Sequence, residues 1–319
     1  MSGNLSPPWL SVVIPSYCGE QWIHAALGSI AAEAAEGIEV LIIDGGPTRA
    51  TLEIANTYAD RLNLRTFERR DLTSWHSKTN FGVEVAASKH VCWLGVDDVW
   101  LPGRARAVRD WIDAAPEAPL HLAASAIIDR NGRKLGLWRC PLPVHALIRS
   151  ELVTERLLVQ NFVAAPAPVF RRDAWLGCGG LDPGLWYTAD WDIWLKLVAA
   201  GPVYYHDRVT IGFRIHGGSL TMTGSNNITD FTNQMRTVLE RHLPRVRANA
   251  RSVELAARAS ISVNAALASA SAGDCSGLLP AAWGICRLGP AGATRYWRDS
   301  RIAERLMPRL RAKLAGGFK

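Results

Sequence analysis

Three short apolar runs constrain the fold of this chain more than any other feature. They are Leu10-Ser-Val-Val-Ile-Pro-Ser-Tyr17, Ile38-Glu-Val-Leu-Ile-Ile-Asp44 and His90-Val-Cys-Trp-Leu-Gly-Val96. Runs this short, apolar on both alternating faces and rich in β-branched residues, read as strands covered from both sides. Helical spacing separates them. Ile23, Leu27 and Ile30, with Ala26, Ala31 and Ala34, predict an amphipathic helix ending near Gly37. A second helix, about Arg49 to Leu62, leads to a strand around Leu64 to Phe67, and a third, about Asn80 to Ser88, feeds the run at His90. Strand and helix alternating in this way imply a mostly parallel sheet with right-handed crossovers and helices on its faces.

The third run ends in two adjacent carboxylates, Asp97 and Asp98. Burying two ionised carboxylates without partners is costly, so they belong at the strand's carboxyl end, facing a crevice. In an open α/β sheet that crevice is where ligands bind. Two readings stand side by side. The pair can be turn residues capping the helix that Pro102 and Gly103 introduce. Alternatively it can hold a divalent cation against a diphosphate, because Mg²⁺ takes one or two carboxylates plus phosphate oxygens. Asp44 comes out on the same sheet edge, before the Gly45-Gly46-Pro47 turn.

Beyond the acidic tip the spacing predicts a helix over Arg104 to Ala114, an antiparallel hairpin from Leu120 to Ile128 around the Asn131-Gly132 turn, and a helix from Glu151 to Leu157. Phe162 to Phe170 reads as extended, and Gly177 to Gly184 as a loop. The helix opening at Ala189 carries Trp191, Trp194, Leu195 and Val198 on one face and Asp190 at its N-terminal edge. Asp192, in the first turn, suits the helix dipole. Val203 to Ile215 is strand-like, followed by a polar loop from His216 to Thr221.

Charge divides the chain. From Gln234 onward there are 15 Lys and Arg against 5 Asp and Glu, whereas the part before it has 21 against 24. The basic excess therefore belongs to an Ala- and Arg-rich, helical C-terminal stretch, which argues against a nucleic-acid partner and for peripheral contact with an anionic membrane. In the last helix Ile302, Leu306, Leu310 and Leu314 form a stripe beside Arg301, Arg305, Arg309 and Lys313, with Pro308 expected to kink it. The same stripe would serve equally for packing on the body, with the arginines solvated. No apolar run approaches the ~20 residues that span a bilayer. Met1 to Pro8 shows no basic region followed by an apolar core, and the six cysteines form no CxxC or zinc-like cluster, so a cytoplasmic, reducing location is expected.

In their shared order these motifs resemble glycosyltransferase family 2, over about Ser11 to Thr221. Ser11-Val-Val-Ile-Pro-Ser-Tyr17 resembles the family's opening strand, Ile42-Ile-Asp44-Gly-Gly the end of its second, and Lys78-Thr-Asn80-Phe-Gly82 the stretch before its metal strand. Gly95-Val-Asp97-Asp98 resembles its acidic metal motif. Gly179-Gly-Leu-Asp followed by Ala189-Asp190-Trp-Asp192 is similar to its acceptor-side motif, and Phe213-Arg-Ile-His216 with Ser219 to its Arg-x-His element.

The resemblance implies an α/β fold of the GT-A type, Rossmann-like, with an antiparallel acceptor-side portion. Residues 1–233 would be the catalytic domain and residues 234–319 a helical appendage. It further implies donor binding by Pro15, Ser16, Tyr17, Asp44, Lys78 and Asp97, and a divalent cation, Mn²⁺ or Mg²⁺, held by Asp98 with His216. Asp190 would be the catalytic base, so that a single displacement inverts the anomeric centre. The donor would be a nucleotide-diphosphate sugar, a UDP-sugar first, and the acceptor a glycan or lipid-linked hydroxyl in surface polysaccharide synthesis.

This chain has Ala189-Asp190 where the family has an acidic pair, which opens a different class of function: a degenerate, non-catalytic domain kept as a nucleotide-binding or scaffold subunit. The phosphate-binding cation stays open among Arg69, Arg70 and Lys78. A nucleotidyltransferase is disfavoured, because Ser16-Tyr-Cys-Gly-Glu20 lacks the basic, Gly-rich loop such enzymes place after the first strand.

Overall fold

The computed structural model describes residues 7–218 and 227–314. Ser219, and with it the second half of the loop expected from His216 to Thr221, lies outside the described residues, as do the side chains of Lys313 and Leu314.

The first half builds as the periodicity requires: β1 (Leu10–Ser16), α1 (Ile23–Ala31), β2 (Ile38–Asp44), α2 (Ala50–Asn56), β3 (Asn63–Glu68), α3 (Trp75–Val85) and β4 (His90–Trp93). β2 and β3 pair in parallel, as do β1 and β2, and β1 and β4. Alternate residues of one strand feed opposite faces. Leu10, Val12 and Ile14 pack with Val40, Ile42 and α1, whereas Val13 packs with Leu41, Ile43 and Val83 of α3. Both faces are covered, which is why the runs look continuously apolar.

Helix boundaries differ from expectation. α1 and α2 stop earlier than the apolar spacing suggested, and α3 starts at Trp75 instead of Asn80. Its cap is Ser74, whose Oγ accepts from the Ser77 N–H at 3.1 Å. The polar run His76-Ser-Lys-Thr79 conceals that start from a reading based on apolar spacing.

Next come β5 (Val99–Trp100), α4 (Arg104–Ala114), β6 (Leu120–Ala123), β7 (Ser125–Ile128), β8 (Lys134–Trp138), β9 (Leu147–Ile148), α5 (Ser150–Val159), β10 (Val169–Arg171), α6 (Arg172–Gly177), α7 (Ala189–Ala199), β11 (Val203–His206) and β12 (Ile211–Arg214). The large sheet has the order β3-β2-β1-β4-β10-β6-β11-β9, and a smaller one the order β5-β12-β7-β8. β10 runs antiparallel to β4 and β6, giving the antiparallel portion beside the parallel half.

The stretch expected to enter the hairpin, Leu120 to Ile128, and the strand-like stretch Val203 to Ile215 each break in two and change sheets. They do so together: β6 pairs with β11 in the large sheet, and β7 with β12 in the small one. The Asn131-Gly132 hairpin joins β7 to β8. The run at His90 breaks similarly. After Trp93 the chain leaves the large sheet, turns at Gly95, where the Asp98 N–H donates to its carbonyl at 3.0 Å, and enters the small sheet as β5. The acidic pair therefore sits in the seam between the two sheets.

The C-terminal stretch is helical: α8 (Ile228–His242), α9 (Ala250–Ser271), α10 (Leu278–Cys286), α11 (Gly289–Ser300) and α12 (Ile302–Leu314). Met235, Val238 and Leu239 of α8 and Val253, Ala257 and Ile261 of α9 join the core that contains Val13 and Trp93. α12 returns across β8. Ala312 packs with Ile127, Trp138 and Ile215, and Pro308, inside the helix, seats its ring over Gly136, where a side chain would come within 2.6 Å of Pro308 Cγ. No helix among the described residues is long and apolar enough to cross a membrane.

Candidate active site

A cavity of about 680 Å³ opens at the seam between the sheets. β1 and the residue after it supply Pro15, Ser16 and Tyr17, α3 supplies Lys78, the Gly95 turn supplies Asp97 and Asp98, α7 supplies Asp190, and the end of β12 leads to His216. Sequence separations of more than a hundred residues thus close onto one space. Asp44 is the exception among the expected residues: it lies behind the wall, 1% exposed, beside Ser16 and Lys78, which do line the cavity. Burial pushes its carboxyl upward against the pull of the Ser16 hydroxyl, the Gly46 N–H and the Lys78 ammonium.

The open choice among three cations is narrowed by geometry. Arg69 is tied to Asp71 by two hydrogen bonds of 2.8 and 2.7 Å, and Arg70 to Glu68 at 2.7 Å, both away from the cavity. Lys78 is buried in its wall. Its Nζ donates to the Leu72 carbonyl at 3.2 Å and lies 5.5 Å from the centre of the exposed Tyr17 ring. Burial lowers the Lys78 pKa, while Asp44 opposes the shift.

The two members of the acidic pair have different surroundings. Asp98 is 4% exposed, and its Oδ1 accepts from the Arg214 N–H at 2.8 Å. Burial first, and then the neighbouring Asp97, push its carboxyl well above the usual range; the Arg214 N–H and guanidinium pull the other way. Asp97 is more open, with Oδ2 3.0 Å from His216 Nε2. Arg214 braces the turn: its Nε donates to the Asp97 carbonyl at 2.6 Å, Nη1 to the carbonyls of Asp129 and Arg130, and its guanidinium lies over Trp22.

These groups fit a divalent cation in a specific way. A side chain on Gly95 would come within 2.6 Å of Asp98 Oδ2 and 2.8 Å of Asp97 Oδ1, so both oxygens converge on one point that only glycine leaves open. Convergent, mutually repelling oxygens suit Mg²⁺ or Mn²⁺. No cluster of three or more His, Cys, Asp or Glu among the described residues is arranged as a metal cage. The donor set fits a cation that completes its shell with substrate oxygens.

Asp190 faces the cavity from the first turn of α7. Its Oδ1 accepts from the Trp191 N–H at 2.7 Å and its Oδ2 from Asn161 Nδ2 at 3.1 Å. Burial raises its pKa to about 6, against both hydrogen bonds. Ala189 is fully buried, and the carboxylate is oriented by Asn161 from the segment after α5. Asp192 is committed elsewhere. It is fully buried and paired with Lys196, Arg241 and His242, and His242 and Lys196 hold its carboxyl down at about 2 despite burial. Trp186 donates its indole N–H to Asp230 at 2.6 Å and does not line the cavity; Trp75, Trp93, Trp138 and Trp191 do.

Residues 11–159 match the family model described as glycosyl transferase family 2. That segment is similar to glycosyltransferase family 2. An uncharacterized glycosyltransferase of Rickettsia prowazekii is 24% identical over 238 residues, covering 72% of this chain and 71% of its own. A PGL/p-HBAD biosynthesis glycosyltransferase of Mycobacterium bovis is 34% identical over 95 residues, 30% of this chain and 37% of its own. Among solved structures, S. aureus TarS 1–349 in complex with UDP-GlcNAc matches with a TM-score of 0.62 at 17% identity, over 78% of this chain and 70% of that one, which supports the GT-A-type fold.

Sequence reasoning did not single out Asn161, Trp22, Arg305 and Arg309, all of which line the cavity. Arg214 was visible inside Phe213-Arg-Ile-His216. The two tail arginines were visible only as a basic stripe, and Asn161 carries no local signal.

Proposed function

We propose that this protein is an inverting glycosyltransferase that moves a sugar from a nucleotide-diphosphate sugar, a UDP-sugar first, to a hydroxyl of a glycan or lipid-linked acceptor. One observation carries the reading: Lys78, Asp97, Asp98 and His216 share a single cavity with Asp190. The UDP and UDP-GlcNAc bound by TarS support the choice of donor. Residues 1–233 would be the catalytic domain, with residues 234–319 as its helical appendage.

Ser16 and Tyr17 line the cavity with Asp44 buried directly behind them, which suits a base and ribose laid along β1 with Tyr17 over them. Lys78 offsets phosphate charge. Asp97 and Asp98, with His216, would hold the divalent cation, which when bound supplies Lewis-acid neutralisation of the diphosphate leaving group. Asp190 takes the proton from the acceptor hydroxyl as its oxygen bonds to the anomeric carbon. The bond from that carbon to the diphosphate breaks in the same displacement, and its electron pair leaves with the nucleoside diphosphate. A base with a pKa of about 6 is ionised at neutral pH and still basic enough to assist.

A thermal-shift panel of nucleotide sugars with Mn²⁺ tests the reading. At one hundred times Kd the matching donor should raise Tm by roughly 5 °C, with release of its nucleotide on turnover. Tight binding without turnover of any acceptor would favour the scaffold reading, and no binding of any nucleotide sugar would remove both.

Contact with an anionic membrane is assigned to α10 and α11, where Leu279, Trp283 and Trp297 are 83%, 66% and 57% exposed beside the exposed Arg287. Exposed Trp and Leu next to Arg suit the headgroup boundary. The double variant Leu279→Ser, Trp283→Ser should lose most of its flotation with anionic vesicles; undiminished flotation would refute the assignment.

A further inference from the structure

Arg305 and Arg309 stand one helical turn apart on α12, and both line the cavity in company with Asp190 and Asn161. Neighbouring arginines of the tail are neutralised: Arg295 by Glu155, Arg298 by Asp299 and Arg301 by Glu304. Arg305 is not. Its Nη2 donates to Asn264 Oδ1 at 3.0 Å, but Nε and Nη1 are buried with no hydrogen-bond partner among the described residues. Arg309 donates from Nη1 to the Arg305 carbonyl at 2.7 Å and lies 6.0 Å from the centre of the Trp138 ring. Among the described residues no ion pair joins either guanidinium to a carboxylate.

Burying a cation without a counter-ion is expensive, and two that repel each other are more so. The seat of α12 does not require them, because Pro308, Ala312 and the Arg139–Glu304 pair at 2.7 Å already fasten it to β8. Two guanidinium groups with unused N–H donors on a cavity wall match the oxygens of a phosphate, which arginine binds through paired hydrogen bonds. Tyr187 is close enough to Asp190, Arg305 and Arg309 for its phenol to feel all three charges, so the arginines belong to the same end of the cavity as the base.

We propose that Arg305 and Arg309 form an anion subsite that recognises a phosphate group on the acceptor, so that the C-terminal helix selects the substrate. The inference rests on the transferase reading for the acceptor, while the subsite itself is testable without it. The full-length protein and the Arg305→Gln, Arg309→Gln variant would be titrated calorimetrically with inorganic phosphate, a glycerophosphodiester, a short-chain alkyl diphosphate and, separately, UDP with Mn²⁺.

Saturable binding of a phosphate probe to the wild type, at least tenfold weaker in the double variant with UDP affinity within twofold, supports the subsite. Preference for the diester points to a phosphodiester polymer, and preference for the alkyl diphosphate to a lipid-linked acceptor. Equal phosphate binding in both proteins overturns the proposal. So does a parallel loss of UDP affinity, which would assign the arginines to the donor. Wild-type protein that binds phosphate but never UDP would defeat the UDP-donor reading alone. Arg305→Lys, Arg309→Lys, which keeps the charge, serves if the Gln variant fails to fold; its phosphate affinity should be intermediate, and affinity equal to wild type without discrimination among the probes would overturn specific recognition.

Discussion

Asp190→Asn is expected to lower kcat for sugar transfer by roughly 10²- to 10⁴-fold while leaving UDP affinity within about twofold. The substitution keeps the shape of the side chain and can retain the hydrogen bond from the Trp191 N–H, but an amide cannot accept the acceptor's proton. The pH profile supplies a second readout. Because burial raises the Asp190 pKa to about 6, and the ionised form is the base, activity should fall about tenfold per pH unit below 6 and level off above it. Asn161→Ala removes a hydrogen bond that favours the carboxylate, so it should move that limb to higher pH. A rate that stays flat between pH 5 and 7, or an Asp190→Asn enzyme with a tenth or more of wild-type activity, would exclude Asp190 as the base.

Asp98→Asn should cut donor turnover sharply without loss of stability. Weakening the hold on a cation that would neutralise the leaving diphosphate costs several kcal/mol of barrier, or about 10²- to 10³-fold in rate. Stability should move the other way. Asp98 is buried against a second carboxylate, which disfavours its charged form, and Asn relieves that repulsion while its Oδ1 still accepts from the Arg214 N–H. Melting temperature and Mn²⁺-dependent UDP release, measured on one preparation, separate the two effects. Chelation of wild-type protein should reproduce the loss of turnover, and full activity in Asp98→Asn would remove the carboxylate pair from the mechanism.

The two substitutions act on residues with different origins in the chain. Asp98 was evident from a strand that ends in acid, because a short apolar run followed by paired carboxylates has few placements other than a sheet edge. The partners that tune it were less evident. Its hydrogen bond from Arg214 spans 116 residues and exists only because β5 and β12 pair in the small sheet. Likewise Asp190 was visible at the head of its helix, but the side chain that orients it is Asn161, in a segment without regular periodicity. The Ala189 departure therefore leaves the carboxylate held by an amide in place of a second acid.

Local order determined what periodicity can encode. Short continuous apolar runs specified β1 and β2, the 3.6-residue spacing specified α4 and the stripe of α7, and chain order placed the carboxylates at strand and helix ends. Tertiary structure decided the rest. Leu120 to Ile128 divides between two sheets because the strand beside it divides at the same level, and a strand's hydrogen-bonding partner is not written in its own residues. Arg305 and Arg309 are indistinguishable from solvated surface charges until Pro308 seats α12 on β8 and turns them onto the cavity. Burial and charge pairing are properties of neighbours brought together from afar, and those neighbours give each side chain its chemistry.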